Sequence, residues 1–313
     1  MTHATVFARQ EAALDVKHDA GSASQLLPRH TDEWYLPTED ESCRLFVREY
    51  GTGPTVVVLH GGWGAEHSYL LDAIAPHVES YHFVLYDQRG SMRSKAPLRS
   101  ISVEQHVEDL ELLRRTLDLE EMPLLAHSMG TFLAMSYLEN YPERVGNLIL
   151  TGAVPAVNEG RMLEDMQSHG TLMMERAKVQ EVLEAEGLTA EKLTPRQQTH
   201  AWRVRFASVN LFHLERWSQL GGGQIFYSSS AGDQAASTMR QTWDFTDLLA
   251  EHPCQVTVIL GDHDYVDWQA EKWKATAKHL PEARVHILKN AGHSVWIDQP
   301  DQFEKAVAEG LKE

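Results

Sequence analysis

The chain has 313 residues, enough for one large domain or for a domain that carries an inserted subdomain. Hydrophobic residues make up 42% and charged residues 23% of it, a composition that excludes collagen, coiled coils and disordered chains. The formal net charge is −17, and the sequence has no run of Lys and Arg. We therefore expect neither a nucleic acid nor a membrane surface as a partner.

The cysteines and the N-terminal segment bear on the compartment. Cys43 and Cys254 lie far apart in the sequence, so we expect no disulfide framework and no thiolate metal site, and a reducing compartment fits best. Charged residues interrupt residues 1–30, which therefore lack the apolar centre of a signal peptide. No stretch approaches the roughly 18 apolar residues of a membrane span. These features predict a soluble, cytoplasmic protein with an N-terminal extension over residues 1–30.

Short apolar segments rich in β-branched residues predict strands. Residues 34–36 and 44–49 predict an antiparallel hairpin at one edge of a sheet. The buried strands are predicted, in chain order, at residues 55–59, 82–86, 124–126, 147–150, 255–260 and 284–288. Helical patterns separate them, the clearest of which starts at the capping-box pair Ser102 and Gln105. This alternation predicts an α/β fold with a mostly parallel, doubly wound sheet.

The alternation stops after residue 150 and resumes at residue 255. The intervening segment is typical of helices and loops, and we expect it to form a helical lid, or cap, over residues 153–247. The core then comprises residues 31–152 and 248–313. Residues 221–223 and 228–230 are Gly and Ser runs typical of flexible connections. The lid also contains aromatic residues that either form its own core or line a specificity pocket: Trp202, Phe206, Phe212, Trp217, Phe226, Tyr227 and Trp243.

A pentapeptide at residues 126–130, AHSMG, joins a predicted strand to the helical segment 131–140. A tight strand-to-helix turn exposes its central residue, here Ser128, at the carboxyl edge of the sheet and near a helix N-terminus. Ala126 stands where the general GxSxG pattern has its first glycine, and it is small enough for such a turn. Ser128 is therefore the candidate nucleophile, with a simple helix N-cap as the alternative.

A serine hydroxyl needs a general base, and His293 is the best placed of the 17 histidines. It directly follows the last predicted strand and precedes a helix that opens near Pro300. We therefore expect His293 on a loop at the same carboxyl edge as the serine.

A carboxylate must then hold the imidazole. Asp264 and Asp262 both follow the predicted strand 255–260. Asp264 is preferred because Asp262 is close enough to the strand to serve in an Asx turn, and Asp267 is a further alternative. A metal site at residues 262–264 is disfavoured because no second ligand cluster accompanies it.

The glycine-rich residues 60–64, HGGWG, follow the strand at 55–59. Glycines let the backbone approach a substrate closely, so the amide of Gly62, paired with that of Met129, is the expected oxyanion hole. The rival interpretation is a phosphate-cradling loop, but neither GxGxxG nor GxxxxGK[ST] is present.

Ser128, Asp264 and His293, in this order and preceded by HGGWG, resemble the α/β-hydrolase family over roughly residues 34–311. Residues 86–91, YDQRGS, together with HGGWG, are similar to the proline iminopeptidase branch, whose members typically carry HGGPG and DQRGxGxS. Trp63 replaces the proline of that pattern. The AHSMG turn also differs from the GGSWG usual in that branch and is closer to esterases and carbon–carbon bond hydrolases.

In the DQRG segment, Met92 replaces a glycine of the pattern. Arg89 of the same segment is expected to brace loops through charge-assisted hydrogen bonds, with substrate contact as the alternative.

The resemblance implies a serine hydrolase that works through an acyl-enzyme and needs no metal or organic cofactor. It favours a proline iminopeptidase-like aminopeptidase or amidase acting on a short peptide or other small molecule. A carboxylesterase, lactonase or carbon–carbon bond hydrolase is the close alternative, and a non-catalytic ligand-binding module is a remote one. A homo-oligomer is left open.

Three residues are candidates for contact with the substrate. Trp63 either walls the acyl pocket or packs against the lid. Glu215 either holds a free α-amino group, as acidic lid residues do in the iminopeptidases, or is a solvated helix residue. Trp217 belongs to the lid aromatics, whose role is open.

Overall fold

One eight-stranded sheet organises the computed structural model, which describes residues 31–221 and 226–312. The predicted extension 1–30 and part of the 221–223 loop lie outside these residues. The strands are β1 (Asp32–Pro37), β2 (Arg44–Gly51), β3 (Thr55–Leu59), β4 (His82–Tyr86), β5 (Met122–His127), β6 (Val145–Thr151), β7 (Val157–Asn158), β8 (Trp243–Asp244), β9 (Val256–Gly261) and β10 (Arg284–Leu288). The sheet order is β1-β2-β4-β3-β5-β6-β9-β10, and β7 pairs with β8 in a separate ribbon.

The pairing of the strands confirms the predicted α/β sheet. β1 and β2 form the expected antiparallel hairpin at one edge, and β2 is also antiparallel to β4. The pairs from β4 through β3, β5, β6 and β9 to β10 are all parallel. The parallel strands therefore end at one common edge of the sheet, where loops from β3, β5, β9 and β10 meet.

Helices cover both faces of the sheet because successive strand residues point to opposite sides. Val57 and Leu59 of β3 pack in one hydrophobic cluster, whereas Val56 and Val58 pack in the other. The helices are α1 (Leu71–Ile74), α2 (Val103–Thr116), α3 (Met129–Asn140), α4 (Met162–Arg176), α5 (Val179–Ala185), α6 (Pro195–Asn210), α7 (Ser229–Ser237), α8 (Thr246–Glu251), α9 (Glu271–Thr276), α10 (Val295–Asp298) and α11 (Pro300–Gly310). None of these helices, within the described ranges, is both long and apolar enough to cross a membrane.

Local sequence signals fix the starts of helices α2 and α6. Ser102 caps α2 as predicted, since its hydroxyl accepts a hydrogen bond from the amide of Gln105 at 3.1 Å. At the start of α6, Thr194 and Gln197 form a full capping box, and Pro195 occupies the first turn, where its missing N–H has no cost. The chain thus enters α6 in a defined direction.

The segment between β6 and β9 is largely helical. Helices α4 to α7 fall within the predicted lid range of residues 153–247, and a 3₁₀ helix, Leu214–Gln219, follows α6. Leu183 of α5 and Val204 of α6 are buried in the cluster that also contains the Val56 face of the sheet. The division of the chain into a core and a lid at these boundaries stays a prediction.

Arg89 braces the loops beside the sheet, as predicted. Its buried guanidinium donates to Asp109 of α2 at 2.8 and 2.6 Å and to Asp40, in the turn between β1 and β2, at 2.8 and 3.2 Å. Burial raises the pKa of the Asp109 carboxyl because it disfavours the charged form, and the adjacent guanidinium of Arg89 offsets part of that effect. One side chain therefore ties the edge hairpin to a core helix.

We expect Arg89→Met to destabilise the fold by about 3 kcal/mol, because it leaves the Asp109 carboxylate buried without its partner. Arg115→Met is the matched control, since Arg115 pairs with Glu39 at the exposed surface and should cost less than about 1 kcal/mol. Urea unfolding measures both changes. Equal midpoints for the two variants would contradict the bracing role.

Candidate active site

The turn between β5 and α3 holds Ser128 in a strained conformation. Its φ of 54° and ψ of −127° are unusual for a residue with a side chain, and such strain concentrates at functional sites. The amide of Ser128 donates to the carbonyl of Thr151 in β6 at 3.1 Å, which ties the turn to the neighbouring strand. Gly130 is required as well, because a Cβ atom there would lie 2.5 Å from the carbonyl oxygen of Leu59. The predicted strand-to-helix turn is therefore present.

His293 contacts Asp264, and this contact distinguishes Asp264 from Asp262 and Asp267, the other two candidate carboxylates. Nδ1 of His293 lies 2.9 and 3.0 Å from the two carboxylate oxygens of Asp264, which is fully buried. Asp262 instead contacts Nδ1 of His263 at 2.7 Å. Asp267 accepts from the amides that open helix α9. Of the three carboxylates, Asp264 is the one placed to hold the His293 ring.

Ser128 and His293 line the same cavity, which has a volume of about 370 Å³. Neither side chain is more than 8% exposed. Among the described residues no hydrogen bond joins the Ser128 hydroxyl to Nε2 of His293. Such bonds are often long before substrate binds and tighten in the Michaelis complex. The structure thus brings serine, histidine and carboxylate to one edge of the sheet, with the serine open to the cavity.

The glycine-rich loop after β3 places Gly61 and Gly62 at the wall of this cavity. Gly62 has a φ of 63°, a conformation that glycine adopts without strain. Within the described part of the chain, the amide of Gly62 donates to no other group. The amide of Met129 lies at the N-terminus of α3, where helix amides have no intrahelical partner. Met129 is not among the cavity-lining residues, so the part of its amide in the oxyanion hole stays a prediction.

His60 sets the orientation of the Gly62 amide. The amide of Gln88 can only donate, so Nε2 of His60, 3.0 Å away, accepts, and Nδ1 carries the proton that it donates to the carbonyl of Gly61 at 2.9 Å. Burial lowers the pKa of His60, which keeps the ring neutral. In a trans peptide the N–H of Gly62 points opposite to the C=O of Gly61. Holding that carbonyl therefore aims the Gly62 amide.

The three predicted substrate-contact residues lie elsewhere. Trp63 is buried against His106 of α2, with stacked rings 5.0 Å apart, and its indole N–H donates to Sδ of Met239 at 3.1 Å. It therefore packs between α2 and the segment after α7 rather than walling the cavity. The Glu215 side chain is 71% exposed and contacts His213. Trp217 is buried, with Arg203 over its ring. None of the three is among the cavity-lining residues that the structure describes.

Other residues form the walls. Besides the serine, the histidine and the glycine loop, the described cavity is lined by Ala65, Tyr69, His127, Trp202, Phe206, Asn210, Tyr227 and Tyr265. Trp202, Phe206 and Asn210 recur at intervals of four residues along α6, which places them on one face of the helix. That spacing can be read in the sequence. His127 and Tyr265 directly adjoin Ser128 and Asp264. The sequence holds no comparable signal for Tyr69.

One buried group could hold a cation. Ligand atoms of Glu66, His67 and Asp87 lie within 4.8 Å of one another. Arg93, however, donates to Asp87 at 2.6 Å and also to Glu66. The guanidinium already supplies the positive charge that these two carboxylates need, so the group is best described as an ion-pair network.

The comparisons with known proteins agree with this geometry. A Bacillus subtilis relative that carries the name of a 2-succinyl-6-hydroxy-2,4-cyclohexadiene-1-carboxylate synthase is 28% identical over 88% of this chain and 97% of its own length. A proline iminopeptidase of Pestalotiopsis fici is 25% identical over 83% of this chain and 92% of its own. A proline iminopeptidase-related protein from Thermus thermophilus has a TM-score of 0.64 at 26% identity, covering 90% of this chain and 97% of that one.

The resemblance to a hydrolase family and to its iminopeptidase branch is thereby confirmed. The family of the alpha/beta hydrolase fold matches residues 54–300, which include the serine turn, the glycine loop and the histidine loop. Because that match covers most of the chain, the protein belongs to the alpha/beta hydrolase fold family and is a hydrolase.

Proposed function

We propose that the protein hydrolyses small, uncharged carboxylic esters through an acyl-enzyme on Ser128. The observation that carries this proposal is the composition of the cavity. No Asp, Glu, Lys or Arg side chain is among the cavity-lining residues that the structure describes, whereas aromatic rings dominate the walls. An apolar pocket with a few polar groups is typical of a small-molecule site.

In the first half of the mechanism, Oγ of Ser128 attacks the ester carbonyl carbon while Nε2 of His293 takes the serine proton. The amides of Gly62 and Met129 hold the negative oxygen of the tetrahedral intermediate. Asp264 holds the proton on Nδ1 and stabilises the imidazolium. The bond to the alcohol oxygen then breaks, His293 returns its proton to that oxygen, and the acyl-enzyme remains.

In the second half, a water molecule attacks the acyl-enzyme and gives a proton to His293. The second tetrahedral intermediate uses the same two amides. When it collapses, the bond to Ser128 breaks, His293 reprotonates the serine oxygen, and the carboxylic acid leaves. Every proton is returned, so the cycle needs only the ester and water.

A free α-amino group fits this cavity poorly. It is a cation at neutral pH, and burying a cation without a carboxylate partner is costly. The candidate partner, Glu215, is at the surface, and Asp264 is engaged behind the His293 ring. These positions support an ester rather than a peptide with a free N-terminus.

An aminopeptidase of the proline iminopeptidase type is the second candidate function. It is supported by the names of two relatives, one at 25% and one at 26% identity, and by the HGGxG and DQRG segments. It would require an acidic group to approach the cavity.

A cytoplasmic location is also a proposal, which rests on the two free thiols of Cys43 and Cys254.

Covalent labelling tests the nucleophile. We expect an alkyl fluorophosphonate to modify Ser128 stoichiometrically and Ser128→Ala to abolish the modification, because one activated hydroxyl lines the cavity. Mass spectrometry of a digest locates the adduct. Ser136→Ala, in helix α3 that follows Ser128, is the control and should label like the wild type. An unmodified wild-type protein would favour a non-catalytic binding module on the same fold.

Substrate pairs test the charge argument. N-acetylalanine methyl ester and alanine methyl ester differ in the charged amine, and we expect kcat/KM for the acetylated ester to be at least about tenfold higher. Short p-nitrophenyl esters should also turn over, while a prolyl arylamide should not. Faster cleavage of the free-amine ester, or turnover of the arylamide above that of the esters, would instead establish the aminopeptidase.

Substituting the carboxylates tests which one serves His293. Asp264→Asn should lower kcat on a p-nitrophenyl ester by about 10³ to 10⁴. The neutral side-chain amide of asparagine cannot stabilise the imidazolium of His293 as a carboxylate does, nor hold the ring in the required tautomer. Asp262→Asn is the matched control, since its carboxylate contacts His263, and it should retain nearly the full rate. Steady-state kinetics measures both. The reverse ranking would overturn the assignment.

A further inference from the structure

The residue immediately before the nucleophile has no role in the mechanism above. His127 is 1% exposed and lines the cavity beside Ser128. Its Nδ1 lies 2.7 Å from the hydroxyl of Tyr69, and its Nε2 lies 3.4 Å from the main-chain oxygen of His293. Its ring centroid is 4.6 Å from that of His293, and Trp296 packs edge-on against its other side. A polar ring buried between the glycine-rich loop and the loop that carries His293 must have hydrogen-bond partners, and these partners indicate its role.

The neighbouring donors determine where the protons lie. The amide of Gly61 can only donate, and it lies 2.6 Å from the hydroxyl oxygen of Tyr69, which must accept. Burial raises the pKa of Tyr69, so the hydroxyl keeps its own proton and donates it to Nδ1 of His127. Burial, and then the charge of His293, lower the pKa of His127, so the ring is neutral. Its remaining proton is therefore on Nε2, directed at the carbonyl of His293.

These contacts form one directional chain from Gly61 through Tyr69 and His127 to the His293 backbone. Gly61 precedes the proposed oxyanion donor, and His293 carries the proposed general base. The two loops lie on opposite sides of the serine turn, and within the described residues the Tyr69–His127 pair is a polar link that reaches both of them.

We propose that Tyr69 and His127 are positioning residues that set the distance between the oxyanion loop and the histidine loop. This inference rests on the proposed function, because it assigns the pair to the same Ser128 chemistry. Neither side chain transfers a proton to the substrate. Their effect is to hold the Gly62 amide and the His293 ring in register for the transition state, and a displacement of either one should lower kcat more than it changes KM.

Tyr69→Phe removes one hydroxyl and keeps the ring. It leaves the Gly61 amide and Nδ1 of His127 without a buried partner, so both loops are free to shift. We expect the rate of fluorophosphonate labelling at Ser128, and kcat on a p-nitrophenyl ester, to fall about 10- to 100-fold, with KM within about twofold. Tyr81→Phe is the matched control, since it also removes a tyrosine hydroxyl that makes a hydrogen bond, here donated to the main-chain carbonyl of Leu311, and it should leave both rates unchanged.

Two substitutions of His127 separate its polar role from its packing role. His127→Asn keeps an acceptor near the Nδ1 position, whereas His127→Leu keeps bulk and removes the acceptor. We expect the asparagine variant, which keeps the contact to Tyr69 but not the one to the His293 carbonyl, to lose less of the labelling rate than the leucine variant, which loses both contacts and should fall as Tyr69→Phe does. The double variant Tyr69→Phe/His127→Leu should be no slower than the slower single variant, because both act on one chain of contacts.

The outcomes distinguish the two proposals. If the wild-type protein is not labelled at Ser128, the proposed function fails and the inference fails with it. If the wild-type protein is labelled but Tyr69→Phe labels at the same rate, the inference alone is overturned. Multiplicative losses in the double variant, or equal losses in the asparagine and leucine variants of His127, would likewise overturn it. Circular dichroism of each variant shows whether a loss of labelling reflects misfolding. If Tyr69→Phe is misfolded, the comparison of His127→Asn with His127→Leu tests the inference instead.

Discussion

The strained turn at Ser128 is the constraint on which the site depends. A left-handed φ at a serine costs about 1–3 kcal/mol and persists only when the surroundings enforce it. Here the enforcement comes from a hydrogen bond to Thr151 on one side and from the close approach of Gly130 to the carbonyl of Leu59 on the other. Because both anchors are backbone atoms of neighbouring parallel strands, the sheet itself fixes the position of Ser128, the proposed nucleophile. The loops after β3, β9 and β10 then bring their groups to that fixed point.

The electrostatics of the cavity differ sharply from those of the whole chain. The net charge is −17, yet the described cavity wall contains no Asp or Glu side chain, and burial keeps His60 and His127 neutral. Neutral imidazoles act as fixed, oriented dipoles, since each ring has one donor and one acceptor nitrogen whose roles its neighbours dictate. The Asp264–His293 pair therefore lies beside a cavity wall without a competing carboxylate. That arrangement suits the proposed general-base chemistry on an uncharged substrate, because Asp264 would stabilise the imidazolium that forms.

The core of this molecule was predictable because its signals are local. The β-branched run of β3 and the AHSMG turn each specify their own backbone, and parallel pairing then brings the carboxyl ends of the strands together. The choice of Asp264 over Asp262 was suggested by spacing but is made by side-chain contact. The residues that line the cavity were only partly predictable. The spacing of Trp202 and Phe206 along α6 is local, but which aromatic residues face Ser128 depends on how distant segments dock. Trp63, for example, is buried by His106 of α2 and by Met239 beyond α7, and no periodicity near Trp63 signals either partner.

The docking of α6 also couples specificity to chemistry. The face of α6 that carries Trp202 and Phe206 lines the cavity, and the helix ends at Asn210, whose carbonyl accepts the amide of Ser294 at 3.0 Å. Ser294 directly follows His293, the proposed general base. Asp298 reinforces the joint, since its carboxylate accepts amides from both the chain after α6 and the histidine loop. A side chain that moves α6 to admit a larger acyl group must therefore also move His293. We therefore expect substitutions at residues 202 and 206 that keep the axis of α6 in place to alter substrate choice without displacing His293.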